Sequence, residues 1–598
     1  MTLNEFLKEY PWEEKWTRLG KPLDFLWTFE LKADLDRLWP RLADTSSFNR
    51  KLGLPEMRFK EVNGQLKGSS VNAGVRQEWD EVPWDWEYGR TLANARIYQR
   101  GFAHYVRARY LFEEVGPGIV RVHTYFGWIP RGIAYRILLS VGMSRMEADY
   151  RRVMQEIERD LQGPQRAPRA VAGNFPERLA KIVGELEALG LDAMLVRQMA
   201  CHVQRADDDE LTRIRARALA REWGRDWREV VAVMLHATRK GMLCLTWDAV
   251  CPHCRGVRVE LDALGEVPTR GTCEACSIDF DLTGPESLEV TFHVHPSVRA
   301  VEKKLFCAAE PARKPHILIC ETLPPGEIRF IRARIGQGRY RARIQGRKAY
   351  GLIDVDAGAD TDTIDWLESG RVEVRPTPAI VVENREDSYN TYVLEEATVD
   401  RDALRPADLF ALQDFRDLFS QEAVASNVML EVGTQAILFT DVVGSTRLYE
   451  QEGDSVAFAA MREHFSIARE VVRAHRGGIV KTIGDAVMAA FERPADALEA
   501  GLALQKRVTE SGRLQLRCTC HVGPCLAVRL DSNIDYFGGT VNVAAKIQAV
   551  ANAREVVISE AVAADSEVRR ILETHTVEHF EFPLKWAQRS VRLHRLTV

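Results

Sequence analysis

The chain has 598 residues, 46% hydrophobic and 28% charged, with a formal net charge of −5 and a pI near 6.3. That length is too great for one hydrophobic core and predicts roughly three to five domains. The small negative charge gives no global pull toward nucleic acid or an anionic membrane. The opening, MTLNEFLKEYPWEEK, lacks the basic and apolar regions of a signal peptide. No apolar run reaches the ~18 residues of a membrane span; the best, IAYRILLSVGM, is short and holds Arg136. The expectation is a soluble, cytoplasmic protein that engages no membrane. Of eleven cysteines, four form two CxxC pairs, which favours a metal site in a reducing compartment over a disulfide framework.

In chain order, residues 20–162 read as one α/β unit. A strand (FLWTFEL) and a helical stretch (ADLDRLWPRLADTSSF) precede strand-like segments such as HYVRARYLFEEV and GIVRVHTYFGW. A long amphipathic helix from about Ser144 to Leu161 closes the unit. This succession, with ELKADLDRLWPRLADTSSFNRKLG as first strand and helices, resembles the START-like, polyketide-cyclase-like helix-grip fold. The resemblance implies a site for a small hydrophobic ligand or a protein partner. Trp79, Trp84 and Trp86 either line such a cavity or pack a core.

After the linker GPQRAPRAVAG, Leu and Ala recur at helical spacing over residues 174–243, a helical adaptor. Residues 245–285 hold Cys251, Cys254, Cys273 and Cys276, two CxxC knuckles 18 residues apart with VRVEL and a Gly/Thr-rich turn between them. Four thiolates at that spacing suit structural Zn²⁺ in a zinc ribbon. Zinc ribbons often bind nucleic acid, but Glu260, Asp262, Glu266 and Glu274 outnumber Arg255, Arg258 and Arg270 here. That balance favours a fold-stabilising module over a DNA reader.

Residues 286–400, rich in β-branched and aromatic segments, predict a small β-sandwich. Within them RFIRARIGQGRYRARIQGR is a basic patch or the solvated face of alternating strands. Residues 401–433 form a connector, helical from about Pro406 to Gln421, that reads equally as a signalling helix or a docked linker.

Residues 434–598 carry the densest chemistry. QAILFTD is an apolar strand ending in Asp441, and the chain then turns through Gly444, Ser445 and Thr446 into a helix. Backbone N–H groups at such a turn, with the positive end of the helix dipole, suit a polyphosphate. GGIVKTIGDAVMAAF reads as two strands around a tight turn, with Gly484 enabling the turn and Asp485 projecting from it. Two carboxylates brought together repel unless cations lie between them, and two cations suit phosphoryl transfer; Mg²⁺ or Mn²⁺ fits oxygen ligands. Asn542 and Lys546 stand one helical turn apart, and Asp535 lies seven residues before Asn542. Cys518, Cys520 and Cys525 with His521 invite a metal reading, yet strand alternation makes the cysteines buried apolar residues.

In order, type and spacing these stretches resemble the catalytic domain of class III adenylate and guanylate cyclases. The resemblance implies a ferredoxin-like βαββαβ domain in a multidomain α+β protein. It implies that Asp441 and Asp485, with the Val442 carbonyl, bind two Mg²⁺ or Mn²⁺ ions, and that Lys481 and Asp535 read adenine. Guanylate cyclases carry Glu and a small polar residue there, so the pair points to ATP. Asn542 would orient the ribose. The family has Arg where this chain has Lys546, and an ammonium is a mobile point charge rather than a bidentate fork. The implied reaction is attack of the ribose 3′-oxygen on the α-phosphorus, giving 3′,5′-cyclic AMP and pyrophosphate. Metal carboxylates and base-reading pair would come from opposite subunits of a head-to-tail homodimer. Two rival functions stand beside it: a catalytically silent regulator binding nucleotide or a hydrophobic ligand, and a zinc-ribbon nucleic-acid-binding protein.

Overall fold

The computed structural model describes residues 1–62, 65–162, 175–276, 278–422, 424–425, 428–530, 533–584 and 589–598; the linker GPQRAPRAVAG lies outside them. Among the described residues no helix is long and apolar enough to cross a membrane.

The N-terminal strands Leu23–Leu31, Ile119–Pro130, Ala103–Gly116, Thr91–Arg100 and Asp85–Glu87 are neighbours in that order, each pair antiparallel. The helix Ile133–Gln162 buries Met143, Tyr150, Val153, Met154, Ile157 and Leu161 in the same cluster as Trp27, Phe29 and Leu31. It starts eleven residues before the expected Ser144. Its first turns carry apolar residues beside Arg136 with no single apolar face, leaving Ile133, Ile137, Leu138 and Val141 exposed, so they show no period that marks a helix.

Trp79, Trp84 and Trp86 are all buried. The indole N–H groups of Trp79 and Trp84 donate to Glu81 at 2.6 and 3.1 Å, and that of Trp86 to the Ile317 carbonyl at 2.9 Å. Each is a core anchor with a satisfied polar handle. Trp86 also marks a seam: Asp85–Glu87 pairs with Ile317–Leu323, so the N-terminal sheet continues into the region expected to form a separate sandwich. One further correction applies there. Leu288–Val294 leaves that region to pair with Leu243–Val250, beside Val257–Leu261. The remaining strands do form two facing layers, with Ile331, Ile353, Ile380, Val382 and Leu394 buried between them.

The Arg-rich segment is a solvated face only in part: Arg332 and Arg339 are exposed, but Arg341 and Arg343 are covered. Arg343 is 2% exposed and grips Glu395, itself fully buried, at 3.0 Å, while Arg341 holds the other carboxylate oxygen at 2.5 Å. Alternation failed as a guide because the cysteine module covers the outer face: Arg341 donates to the Pro252 carbonyl, and His316 meets the His253 carbonyl at 2.8 Å.

The connector is two short helices, α1 (Pro406–Phe410) and α2 (Gln413–Leu418), broken at Ala411 and Leu412. Phe410 and Phe415 are buried with ring centres 6.3 and 6.2 Å from Trp247, so the segment is a docked linker rather than a continuous signalling helix.

The last domain runs β1 (Leu430–Val442), α3 (Ser445–Glu452), α4 (Asp454–Ala474), β2 (Gly478–Ile483), β3 (Ala486–Phe491), α5 (Pro494–Ser511) and β4 (Leu516–Leu530). Next come β5 (Asn533–Phe537), α6 (Gly539–Lys546), β6 (Glu555–Ser559), β7 (Val577–Leu584) and β8 (Arg589–Thr597). The sheet order is β2-β3-β1-β4-β6-β8-β7, with β5 on β4. The first four strands with their intervening helices are the expected βαββαβ unit. On β1, Ala436 and Leu438 enter the core under α4 and α5, while Ile437 and Phe439 join one that reaches Met234, Trp247 and Phe415.

Glu395→Ala strands two guanidinium groups in a buried setting. It should lower unfolding free energy by about 3–5 kcal/mol, read as a drop in the urea midpoint; an unchanged midpoint would contradict the buried-pair account.

Candidate functional site

β1 is built from Ala436–Thr440, buried on both faces, and reaches the protein edge at Asp441. Thr440 pairs with Val487 of β3, so Asp441 falls opposite Ala486, one residue from Asp485 in the β2–β3 turn. Opposed strand residues have Cβ atoms about 4.5–5.5 Å apart, so the register alone brings the two aspartates to one end of the sheet. Gly484 has φ +63°, the left-handed conformation the tight turn needs. Gly444, at φ +76°, turns the chain from β1 into α3, whose first residues are Ser445 and Thr446. Ser445, Thr446, Gly484 and Asp485 then line one open cleft with Tyr449 and Phe458. His464 on α4 is buried, with neither ring nitrogen hydrogen-bonded. Burial pushes its pKa down to about 4, the nearby Asp485 charge opposing weakly.

Sequence reasoning passed over Arg517. It stands directly opposite Asp441 on β4 and donates to its Oδ2 through Nε at 2.7 Å and through Nη2. A signal was present: LRCTC alternation buries Cys518 and Cys520, which leaves Arg517 on the face that Asp441 occupies. Cys518 and Cys520 are fully buried, and His521 bonds Ser559 at 2.7 Å. Among the described residues they form no metal-ligand cluster with Cys525.

Lys481 and Asp535 meet. The Lys481 ammonium donates to Asp535 Oδ2 at 2.5 Å, and Oδ1 accepts the Tyr536 N–H at 2.7 Å. Asp535 is buried, whereas the Lys481 side chain is 36% exposed, so the pair faces solvent from its ammonium end. Asn542 and Lys546 are exposed on α6, and among the described residues neither side chain makes a hydrogen bond or ion pair. The structure therefore assembles Asp441, Asp485 and Arg517 at one end of the sheet, joins Lys481 to Asp535, and leaves Asn542 and Lys546 unengaged.

Far from that end, the sulfur atoms of Cys251, Cys254, Cys273 and Cys276 lie within 4.8 Å of one another, all buried. The neighbouring thiols, Cys251 first, together with the Arg258 guanidinium push the Cys254 thiol well below its ordinary range. Arg255 donates to the Glu396 and Thr398 carbonyls, so two of the module's three arginines are committed internally.

Residues 428–582 match the family described as adenylate and guanylate cyclase catalytic domain. Those residues form an adenylate/guanylate cyclase catalytic domain. Residues 183–313, spanning the helices, the cysteine knuckles and the strand Leu288–Val294, match a family of unknown function, DUF5939. The chain is 34% identical over 182 residues to an adenylate cyclase of Lachancea kluyveri, covering 26% of this chain and 10% of that protein. It is 29% identical over 169 residues to an adenylate cyclase of Neurospora crassa, covering 24% and 7%. The chain thus spans a tenth or less of the length of these two relatives. The crystal structure of the adenylyl cyclase CyaB from P. aeruginosa is 20% identical, with a TM-score of 0.26, covering 28% of this chain and 96% of that one.

Gly484→Val forces a β-branched residue into the left-handed turn beside Asp485. It should cost about 1–2 kcal/mol in denaturant unfolding, and an unaffected stability would contradict the turn geometry.

Proposed function

We propose that the C-terminal domain converts ATP to 3′,5′-cyclic AMP and pyrophosphate. The observation that carries this reading is the Lys481–Asp535 pair, a donor and an acceptor held 2.5 Å apart. An ammonium there donates to an adenine ring nitrogen while the carboxylate accepts from the exocyclic amine; guanine presents the opposite polarity at those positions.

Asp441 and Asp485, with the Val442 carbonyl, offer the oxygen donors that Mg²⁺ or Mn²⁺ prefers. Arg517 on Asp441 marks a site already arranged to gather opposite charges. When bound there, two such ions lower the pKa of the attacking 3′-hydroxyl and clamp the phosphates. Ser445 and Thr446, the first residues of α3 after Gly444, line the same cleft, and a helix N-terminus there suits the polyphosphate. Asn542 orients the ribose, and Lys546 offsets the negative charge that grows on the α-phosphoryl oxygens.

Asn542 and Lys546 are exposed and, among the described residues, without partners in their own chain, which favours their acting on substrate held by a second copy. A head-to-tail homodimer follows, with active sites at the subunit interface. The four clustered thiols are proposed to hold one structural Zn²⁺, and the central module is proposed to regulate the cyclase through the shared core.

Purified full-length protein should release cyclic AMP from ATP with Mg²⁺ or Mn²⁺. Asp441→Ala should abolish release, and Lys546→Arg should raise kcat roughly three- to tenfold by restoring bidentate contact. No product from wild type or Lys546→Arg would contradict the reading. For the thiol site, elemental measurement should find one zinc per chain, lost with stability in Cys251→Ser; zinc-free protein of full stability would contradict it.

A further inference from the structure

The base-reading pair stands on the least supported strands of the sheet. β2 is one of its two terminal strands, and β5 pairs with β4 alone. β2 also breaks register between Ile479 and Lys481. Such a bulge re-aims the side chain beside it and leaves backbone groups without ladder partners. Those groups need partners from outside the sheet.

One short helix supplies them on both strands. Gln413 on α2 accepts the Ile479 N–H through Oε1 at 2.8 Å, at the bulge itself. Its amide nitrogen donates to Asp417 at 2.8 Å, which sets the end of the amide that faces β2. Arg416 donates from Nη1 to the Ile534 carbonyl at 3.1 Å, one residue before Asp535, and from Nε to the Phe410 carbonyl at 2.7 Å. Its guanidinium lies 5.6 Å from the ring centre of Tyr536, one residue after Asp535. The backbones also approach closely: a Cβ on Gly478 would sit 2.9 Å from the Ala411 carbonyl oxygen. Only glycine lets the connector seat against β2 there.

We infer that Gln413 and Arg416 are positioning residues that hold Lys481 and Asp535 in base-reading alignment, making α2 a determinant of nucleotide specificity. The inference rests on the adenine-reading role proposed for that pair. On its other side α2 is tied to Arg473 by Asp414 at 2.6 Å, and Phe415 packs on Trp247. A displacement of α2 against the sheet therefore moves both members of the pair.

The test compares ATP with GTP on full-length protein, by steady-state turnover and by binding of fluorescent ATP and GTP analogues. Gln413→Leu and Arg416→Met should each raise the KM for ATP and cut the ATP-over-GTP preference about tenfold, while kcat changes less than about threefold. Gly478→Ala, whose Cβ would meet the Ala411 carbonyl at 2.9 Å and the Arg416 side chain at 3.3 Å, should reproduce the loss by lifting α2 from β2. Arg473→Ala, which removes one outer tie of α2 and leaves the Gln413, Arg416 and Ala411 contacts to β2 and β5 in place, should keep the wild-type preference. If wild type prefers ATP and Gln413→Leu, Arg416→Met and Gly478→Ala all keep that preference, the inference is overturned while the adenine-reading role stands. Equal loss in Arg473→Ala also overturns it, because docking stability rather than α2 contacts would then set specificity. If wild type neither binds nor turns over ATP selectively, the adenine-reading role fails and the inference fails with it.

Discussion

The register of β1 is the constraint on which the rest depends. Both faces of the strand are buried: Ala436 and Leu438 point under α4 and α5, Ile437 and Phe439 toward the connector side. A slip of one residue would exchange the two faces, setting Ala and Leu where Ile and Phe now fill the core and the reverse, and would turn Asp441 away from Arg517. With that slip forbidden, Asp441 has one place to stand, opposite Arg517 on one side and Ala486 on the other. Hydrophobic burial thus performs the electrostatic placement, and no polar contact has to find the geometry by itself.

The same strand joins catalytic domain and central module in one continuous core. Ile437, Phe439 and Tyr536 share a cluster with Phe410 and Phe415 of the connector and with Met234 and Trp247 beyond it. Hydrogen bonds follow the same route, from Leu264 to Glu422 at 3.0 Å and from Glu431 to Thr283 at 2.8 Å, so the cysteine module touches both the connector and the first turn of β1. Densely packed interiors transmit small displacements. The four thiols therefore stand where folding of the central module and placement of β1 are coupled.

Much of the site was legible because its signals are local. The turn at Gly484, the strand end at Asp441 and the Asn542–Lys546 spacing each depend on a few neighbouring residues and their φ/ψ or helical period. What escaped depends on partners distant in sequence. Arg343 looked solvated until the cysteine module was seen to cover it. The Trp86 strand gave no hint of pairing with residues 317–323. Arg517 was readable in principle from alternation on β4, yet its role emerges only with the pairing to Asp441. The break between α1 and α2 hides inside an amphipathic pattern that suits one helix or two.

Charge and exposure divide the polar set into two halves. Asp441 with Arg517, and Lys481 with Asp535, are mutually compensated within one chain, while Asn542 and Lys546 project from α6 without partners among the described residues. On the proposed reading a complete site takes residues from two copies. The most direct measurement mixes two inactive variants, Asp441→Ala and Asn542→Ala, and assays cyclic AMP. Random pairing of the two should restore about a quarter of wild-type activity, since half the dimers carry one intact site of two. No recovery on mixing, with both variants folded and dimeric, would contradict a site divided between subunits.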